Sequence, residues 1–296
     1  MDGIGDKPGW AWIFIIEGLA TVIVGIISWW MVFDWPDTAR FLGQDDRVRL
    51  QRRLIMDKQG RTAEDFDKRH IYEALKDWKT YCYIAINSGC LVPLYAFSLF
   101  FPTILRGMGH QGTRAQLLSV PPYAVAALCT IAVGYIADRT KQRGWCMIST
   151  VMVGIIGFVL LISTSNPTMQ YVATFLGAAG IYPCVPNTIS WAANNVEGSL
   201  KRGIVVGMFI GFGNINGVVS ANIYLSRQAP RFWTGHGVVL GYQVIFLLGT
   251  SLFLHFALER QNKYRREGKM DAQWEAMTDE QKWLAGDKRP DFIYTT

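Results

Sequence analysis

Residues 134–140 read GYIADRT, and Lys141, Gln142 and Arg143 follow at once. An apolar run from Gln116 to Ala137 precedes this stretch, and a second, from Cys146 to Ile162, comes after it. Asp138, Arg139, Lys141 and Arg143 therefore crowd into a link hardly longer than a turn between two hydrophobic segments. A helix rises 1.5 Å per residue, so roughly 20 apolar residues cross a ~30 Å hydrocarbon core. The stretch reads as the tip of a helical hairpin that spans a membrane twice. Its charges stay at the water interface, where they need not be desolvated.

Working outward, seven runs approach spanning length: 12–33, 80–104, 116–137, 146–163, 169–193, 204–225 and 238–258. The run 146–163 is the shortest and 169–193 the most polar. The 296 residues are 50% hydrophobic and 18% charged, and the charges concentrate in the links. Glu17 is the one acid well inside a run, a pattern that argues against a soluble protein with buried helices. The first run reads as a retained span, because the flank MDGIGDKPG holds two acids and one lysine where a signal peptide needs net positive charge. The expected fold class is all-α, a polytopic membrane helix bundle of seven transmembrane helices. The five cysteines lie in or beside apolar runs without a C-x-x-C pair, and read as small apolar packers.

Seven spans split the links into two alternating sets. The set 34–79, 138–145, 194–203 and 259–296 holds 24 Lys and Arg, and the other set holds 5. Basic residues accumulate on the cytoplasmic side, so the N-terminus is expected outside and the C-terminus inside. GYIADRT then lies at the cytoplasmic surface, where Asp138 and Arg139 can pair with neighbouring helix ends.

The pattern G-x-x-A-D-R-x-x-x-R-G at 134–144 resembles the short-loop signature of the major facilitator superfamily, which joins the second and third helices of each six-helix half. If run 80–104 opens the C-terminal half, the placement matches. The resemblance implies a gating role for Gly134, Asp138, Arg139 and Arg143, with close helix contact at the glycine and a charge relay that stabilises one alternating-access state. GWAWIFIIEGLATVIVG (9–25), WPDTARFLGQDDRVRLQRRL (35–54), EALKDWKTY (73–81), YAFSLFFPTIL (95–105) and GIYPCVPNTISWAANNVEGSLKRG (180–203) are similar to segments of fungal allantoate permease-like transporters of the anion:cation symporter family. That family has six plus six helices. The resemblance therefore implies a partial fold, the sixth to twelfth helix, with the first five absent from this chain. It divides the chain into the last helix of the N-terminal half (1–33), a central cytoplasmic loop (34–79), the C-terminal six-helix half (80–258) and a cytoplasmic tail (259–296).

Polar residues inside a span are costly unless they face a cavity or a partner. Asn87, Tyr95 and Ser98 share one broad face of the second span. Tyr182, Asn187 and Trp191 accompany Pro183 and Pro186 in the fifth, where proline should kink the helix. Asn214 and Asn216 lie in the sixth. These eight are the expected solute-pathway residues, with interhelical hydrogen bonding as the alternative role. Gly203, Gly207 and Gly211 recur every four residues, a helix-packing pattern, and by resemblance lie where the two halves meet. Glu17 reads as a packing residue near a helix N-terminus.

No phosphate-cradling G-x-x-x-x-G-K-[ST] occurs and no nucleophile–base arrangement stands out, so neither ATP-driven transport nor an enzyme is supported. No cofactor, metal or nucleic acid is expected. Asp45 and Asp46 ahead of Arg47, Arg49, Arg52 and Arg53 read as a solvated surface helix, and ERQNKYRREGK (259–269) as a basic cluster lying on anionic lipid. The expected function is secondary transport of a small organic solute (a carboxylate, ureide or vitamin-like anion), proton-coupled in the full-length protein, at the plasma membrane. The expected partners are the solute, the bilayer and the absent N-terminal half. The competing expectation is a non-transporting membrane polypeptide, a truncation product or a regulatory fragment; a seven-span receptor ranks third. Glu17→Gln in an intact relative should lower protein abundance more than it changes pH dependence. Lost pH dependence at normal abundance would contradict the packing role.

Overall fold

The computed structural model describes residues 3–6, 8–32, 39, 41–56, 68–107, 109, 112–228, 231–278, 282 and 286–296. Of the loop 34–79, residues 34–38, 40 and 57–67 lie outside the described residues, and with them most of the WPDTARFLG segment. The chain divides into two compact units, Met1–Thr62 and Ala63–Thr296.

The smaller unit holds α1 (Gly9–Met31) and α2 (Gln44–Met56). Pro8, at φ −64°, precedes α1, a position where a fixed φ and a missing N–H suit a helix start. α2 carries Asp45 and Asp46 in its first turn and Arg53 in its last, the order that the helix dipole favours.

The larger unit begins with the short α3 (Arg69–Lys76) and the long α4 (Trp78–Gly107), α5 (Gly112–Thr140) and α6 (Arg143–Ser163). α7 (Pro167–Ile181) and α8 (Cys184–Asn194) form one interrupted span, followed by α9 (Ser199–Ile223). The last span joins α10 (Trp233–Gly241), a π-helical segment (Tyr242–Gly249) and α11 (Thr250–Arg266). Among the described residues, seven helical stretches are long and apolar enough to cross a membrane, and they coincide with the seven runs.

The helices extend beyond the runs at several ends. α11 continues through Arg266, so the basic stretch expected to open the tail is still helix. The interruption between α7 and α8 falls at Tyr182–Pro183, where proline removes a backbone donor and crowds the preceding turn. Pro186 sits in the first turn of α8, where the missing N–H leaves no bond unmade.

Two hydrophobic cores stack along the larger unit. One gathers Phe97, Phe101, Phe158 and Val239; the other gathers Tyr83, Trp191, Phe209 and Leu254. The closest helix approach is between α6 and α7. A Cβ on Gly157 would meet Ala173 O at 2.9 Å and the Gly177 backbone closer still, and one on Gly180 would collide with the Gly154 backbone. In hydrocarbon there is no hydrophobic drive between helices, so such backbone contact is a main source of packing energy.

The C-terminal segment 286–296 folds back onto this unit and adds Phe292 and Tyr294 to the second core. Asn262 and Tyr294 exchange two hydrogen bonds (2.8 and 2.9 Å), as do Asn195 and Thr295 (2.7 and 2.9 Å). Trp191 Nε1 also donates to Thr295 O at 2.8 Å. At the centre lies a buried ionic cluster. Lys201 Nζ reaches Asp287 at 2.6 Å and Asp77 at 3.0 Å, and Lys79 pairs with Asp287 and lies 3.4 Å from Asp77. Two carboxylates thus face two ammonium groups, and the Tyr294 hydroxyl accepts a further bond from Lys79 at 2.8 Å. Burial by itself would push the Asp287 carboxyl up, but the two lysines hold it at about 2.

Two tests follow from this packing. Gly157→Leu should lower the thermal midpoint of the detergent-solubilised chain by an overpacking cost of about 1–3 kcal/mol or more. Gly207→Leu, at a position where a side chain meets only open space, should leave it nearly unchanged. Asp287→Asn leaves two buried lysines undercompensated and should cost about 3–5 kcal/mol at neutral pH. Because the folded-state carboxyl lies at about 2, below the ordinary 3.8, its contribution is complete above that ordinary value and fades as pH falls through about 2. The wild-type and Asp287→Asn midpoints should therefore converge as the pH drops across this window, and a constant gap would contradict the assignment.

Candidate functional site

α4 presents Tyr95 and Ser98 three residues apart on one face. Tyr95 donates to Asn214 Oδ1 of α9 at 2.6 Å, and the Ser98 and Tyr182 hydroxyls lie 3.0 Å apart. Tyr182 stands at the α7–α8 interruption, so the proline that breaks the helix also aims this hydroxyl across at α4. Tyr123 of α5 meets Tyr182 edge-on at 5.7 Å between ring centres and extends the same face. Sequence reasoning passed over Tyr123; the signal was a tyrosine directly after the Pro121–Pro122 pair inside an apolar run. Ser98 and Asn214 are exposed, and Tyr95 and Tyr182 half-buried. Three spans therefore bring four hydrogen-bonding side chains to one accessible face, able to bind a polar solute by exchanging internal for external bonds.

The other expected pathway residues sit elsewhere. Asn87 is buried and donates to Phe209 O at 2.8 Å, filling the space opposite Gly213, where a Cβ would strike its amide. Asn216 donates to Ser88 Oγ at 3.0 Å and to the Phe212 and Gly213 carbonyls. Both amides tie α4 to α9. Trp191 is wholly buried and engaged by Thr295. Asn187 of α8 is buried too, and bonds to Arg143 beside the GYIADRT loop.

That loop is built on a left-handed residue. α5 ends at Thr140, and Lys141, at φ +57°, turns the chain so that α6 starts only two residues later. Arg143 is drawn inward and pairs with Asp138, whose carboxylate is otherwise exposed. Arg143 Nη1 donates to Asn187 Oδ1 at 3.3 Å, and Asn187 Nδ2 returns a bond to Arg143 O at 3.0 Å. Asp138, Arg143 and Asn187 thus link α5, α6 and α8. Arg139 instead turns along its own helix to the Tyr135 hydroxyl at 2.8 Å. Around Gly134 there is open space among the described residues.

Gly203, Gly207 and Gly211 likewise face open space. Among the described residues nothing lies within reach of a Cβ at these three positions, whereas Gly154, Gly157, Gly177 and Gly180 make close helix contacts. Glu17 is exposed in the smaller unit, and Thr21 Oγ1 donates to its backbone carbonyl at 2.8 Å. The buried ions Lys79, Lys201 and Asp287 went unrecognised in the sequence because each falls at a helix end or in a polar link.

Comparison with known proteins agrees with this geometry. The family model described as Major Facilitator Superfamily matches residues 3–221. An uncharacterized transporter of Schizosaccharomyces pombe is 35% identical over 264 residues, 88% of this chain and 53% of the relative. The MFS transporter prlL of Fungal sp. (strain NRRL 50135) is 31% identical over 269 residues, 88% of this chain and 53% of that protein. The major facilitator-type transporter hxnP of Emericella nidulans is 28% identical over 292 residues, 97% of this chain and 58% of that protein. The chain thus spans about half the length of the curated relatives it matches. Seven spanning helices, the Asp138–Arg143 hairpin and a family match over most of the length lead to one assignment: this integral membrane chain belongs to the Major Facilitator Superfamily.

Proposed function

We propose that this chain supplies the sixth to twelfth helices of a carrier for a small organic solute, and that Tyr95, Ser98, Tyr182 and Asn214 line its half of the pathway. The observation that carries this is the accessible polar face on which Tyr95 meets Asn214 and Ser98 meets Tyr182. Hydroxyls and an amide without a charged group suit a solute recognised through carboxylate or amide oxygens, in keeping with the carboxylate, ureide or vitamin-like anions implied by the allantoate permease-like motifs. In this reading the open glycine face of α9 (Gly203, Gly207, Gly211) is the surface that a counterpart half covers. Proton coupling rests with groups on that counterpart, because the polar face of this chain has no carboxylate. The excess of Lys and Arg in one set of links supports a cytoplasmic position for the GYIADRT loop, and the plasma membrane is the expected location.

In this role the Asp138–Arg143–Asn187 link acts as a latch that holds α5, α6 and α8 in one arrangement and must re-form once per transport cycle. Gly134 would meet the counterpart half, and Arg139 would add a surface charge beside the latch.

Uptake into yeast expressing the chain joined to the N-terminal half of a matched relative tests the proposal. A panel of monocarboxylates, ureides and vitamin anions should include at least one substrate with saturable uptake that rises with external acidity. The absence of uptake for every class, with the chain abundant in the membrane, would refute it. Asn214→Ala should raise KM for that substrate about tenfold or more, the loss expected for one solute hydrogen bond in a desolvated site. Asp138→Asn should lower the maximal rate and leave KM close to its original value. An unchanged rate would remove the latch role.

A further inference from the structure

At the end of the larger unit that carries the ionic cluster, a cleft of about 1060 Å³ opens between the start of α4, the end of α11 and the C-terminal segment. It is as large as the roomiest ligand clefts, which run to about 1,000 Å³. The polar face described above contributes nothing to it. One wall is apolar and aromatic: Phe253 and Phe256 of α11 are exposed along it, and Trp78 meets Phe253 edge-on at 5.8 Å. The other wall is cationic. Lys76 and Arg260 are exposed there, and among the described residues neither has an ion-pair partner.

Arg265 lies at the back of the cleft, buried to 7% exposure. Its terminal nitrogens bond to the Phe292 and Asp287 carbonyls and to the Tyr294 hydroxyl, but its Nε has no partner. Asp77 is the sole carboxylate on the lining, and it already faces Lys79 and Lys201. The cleft therefore offers uncompensated positive charge beside an apolar wall.

Its place in the fold selects the occupant. Phe253 and Phe256 lie within a helix apolar enough to span the membrane, and Lys76 lies just before another. Trp78 and Tyr264 mark the level at which aromatic side chains sit in the lipid headgroup region. A soluble anion would leave the aromatic wall unused, and a neutral lipid would leave the cations uncompensated.

We propose that this cleft binds one anionic glycerophospholipid from the adjoining leaflet. Lys76 and Arg260 take the phosphate-bearing headgroup, and an acyl chain lies along Phe253 and Phe256. The lipid thereby clamps the α4 start, the α11 end and the C-terminal segment, the three elements that enclose the ionic cluster.

Native mass spectrometry of the purified full chain, titrated in detergent with phosphatidylserine, phosphatidylcholine or inorganic phosphate, tests the site. Phosphatidylserine should bind as a single adduct in preference to phosphatidylcholine, and inorganic phosphate should not displace it. K76Q/R260Q should weaken phosphatidylserine binding by about fivefold per charge removed. K263Q/R266Q removes the same charge from the same end of the protein but not from the cleft lining, and should change binding by less than about twofold. All four side chains are exposed, so both variants should keep the wild-type thermal midpoint. Equal losses in the two variants would reduce the effect to a general basic surface and overturn the proposal. So would equal binding of phosphatidylcholine, or displacement by inorganic phosphate, which would reassign the cleft to a soluble anion.

Discussion

Inside hydrocarbon a polar atom has no water to turn to, and this constraint organises the molecule. Backbone donors in the spans are closed within helices, and many buried polar side chains find an internal partner. Asn87 meets the Phe209 carbonyl, Ser220 the Val92 carbonyl, and Tyr224 the ring of His236. Buried charges near helix ends are paired: Arg143 with Asp138, and Lys79 and Lys201 with Asp77 and Asp287. The accessible face around Tyr95, Ser98, Tyr182 and Asn214 stands out against this background, because its hydrogen bonds are internal but within reach of a solute.

The same constraint governs what could be read from the chain before its structure. Spanning runs are legible because a bilayer demands length and apolarity at once, a signal stronger than any periodicity. A kink at Pro183 was legible because proline acts on its own backbone; that it becomes a full interruption at Tyr182–Pro183 was not. The GYIADRT hairpin was legible as a turn and as a family signature. That Arg143 reaches Asn187 was not, because a hydrogen bond between residues 44 positions apart leaves no local trace.

Glycines show the limit most clearly. Gly203, Gly207 and Gly211 make a regular seam in sequence yet meet nothing among the described residues, whereas Gly154, Gly157, Gly177 and Gly180 lie at a close helix approach. Both sets look alike as patterns of small residues, and only the arrangement of neighbours separates them. The ionic cluster was hidden for a related reason. Lys79 and Asp287 stand 208 residues apart, and Asp287 lies in a polar segment that composition alone assigns to solvent. Asn87 and Trp191 illustrate the converse: polarity within a span marks them as unusual, but their partners, a helix carbonyl and the returning C-terminal segment, give them structural work.

The return of residues 286–296 also fixes an order of events in biosynthesis. Lys79 and Lys201 leave the ribosome long before Asp287, so both enter the membrane surface without the carboxylate that later neutralises them. Until translation passes Tyr294 and Thr295, the ends of α4, α8, α9 and α11 lack the segment that hydrogen-bonds across them. The packing of the larger unit is therefore completed by residues 286–296 rather than by the insertion of its final span.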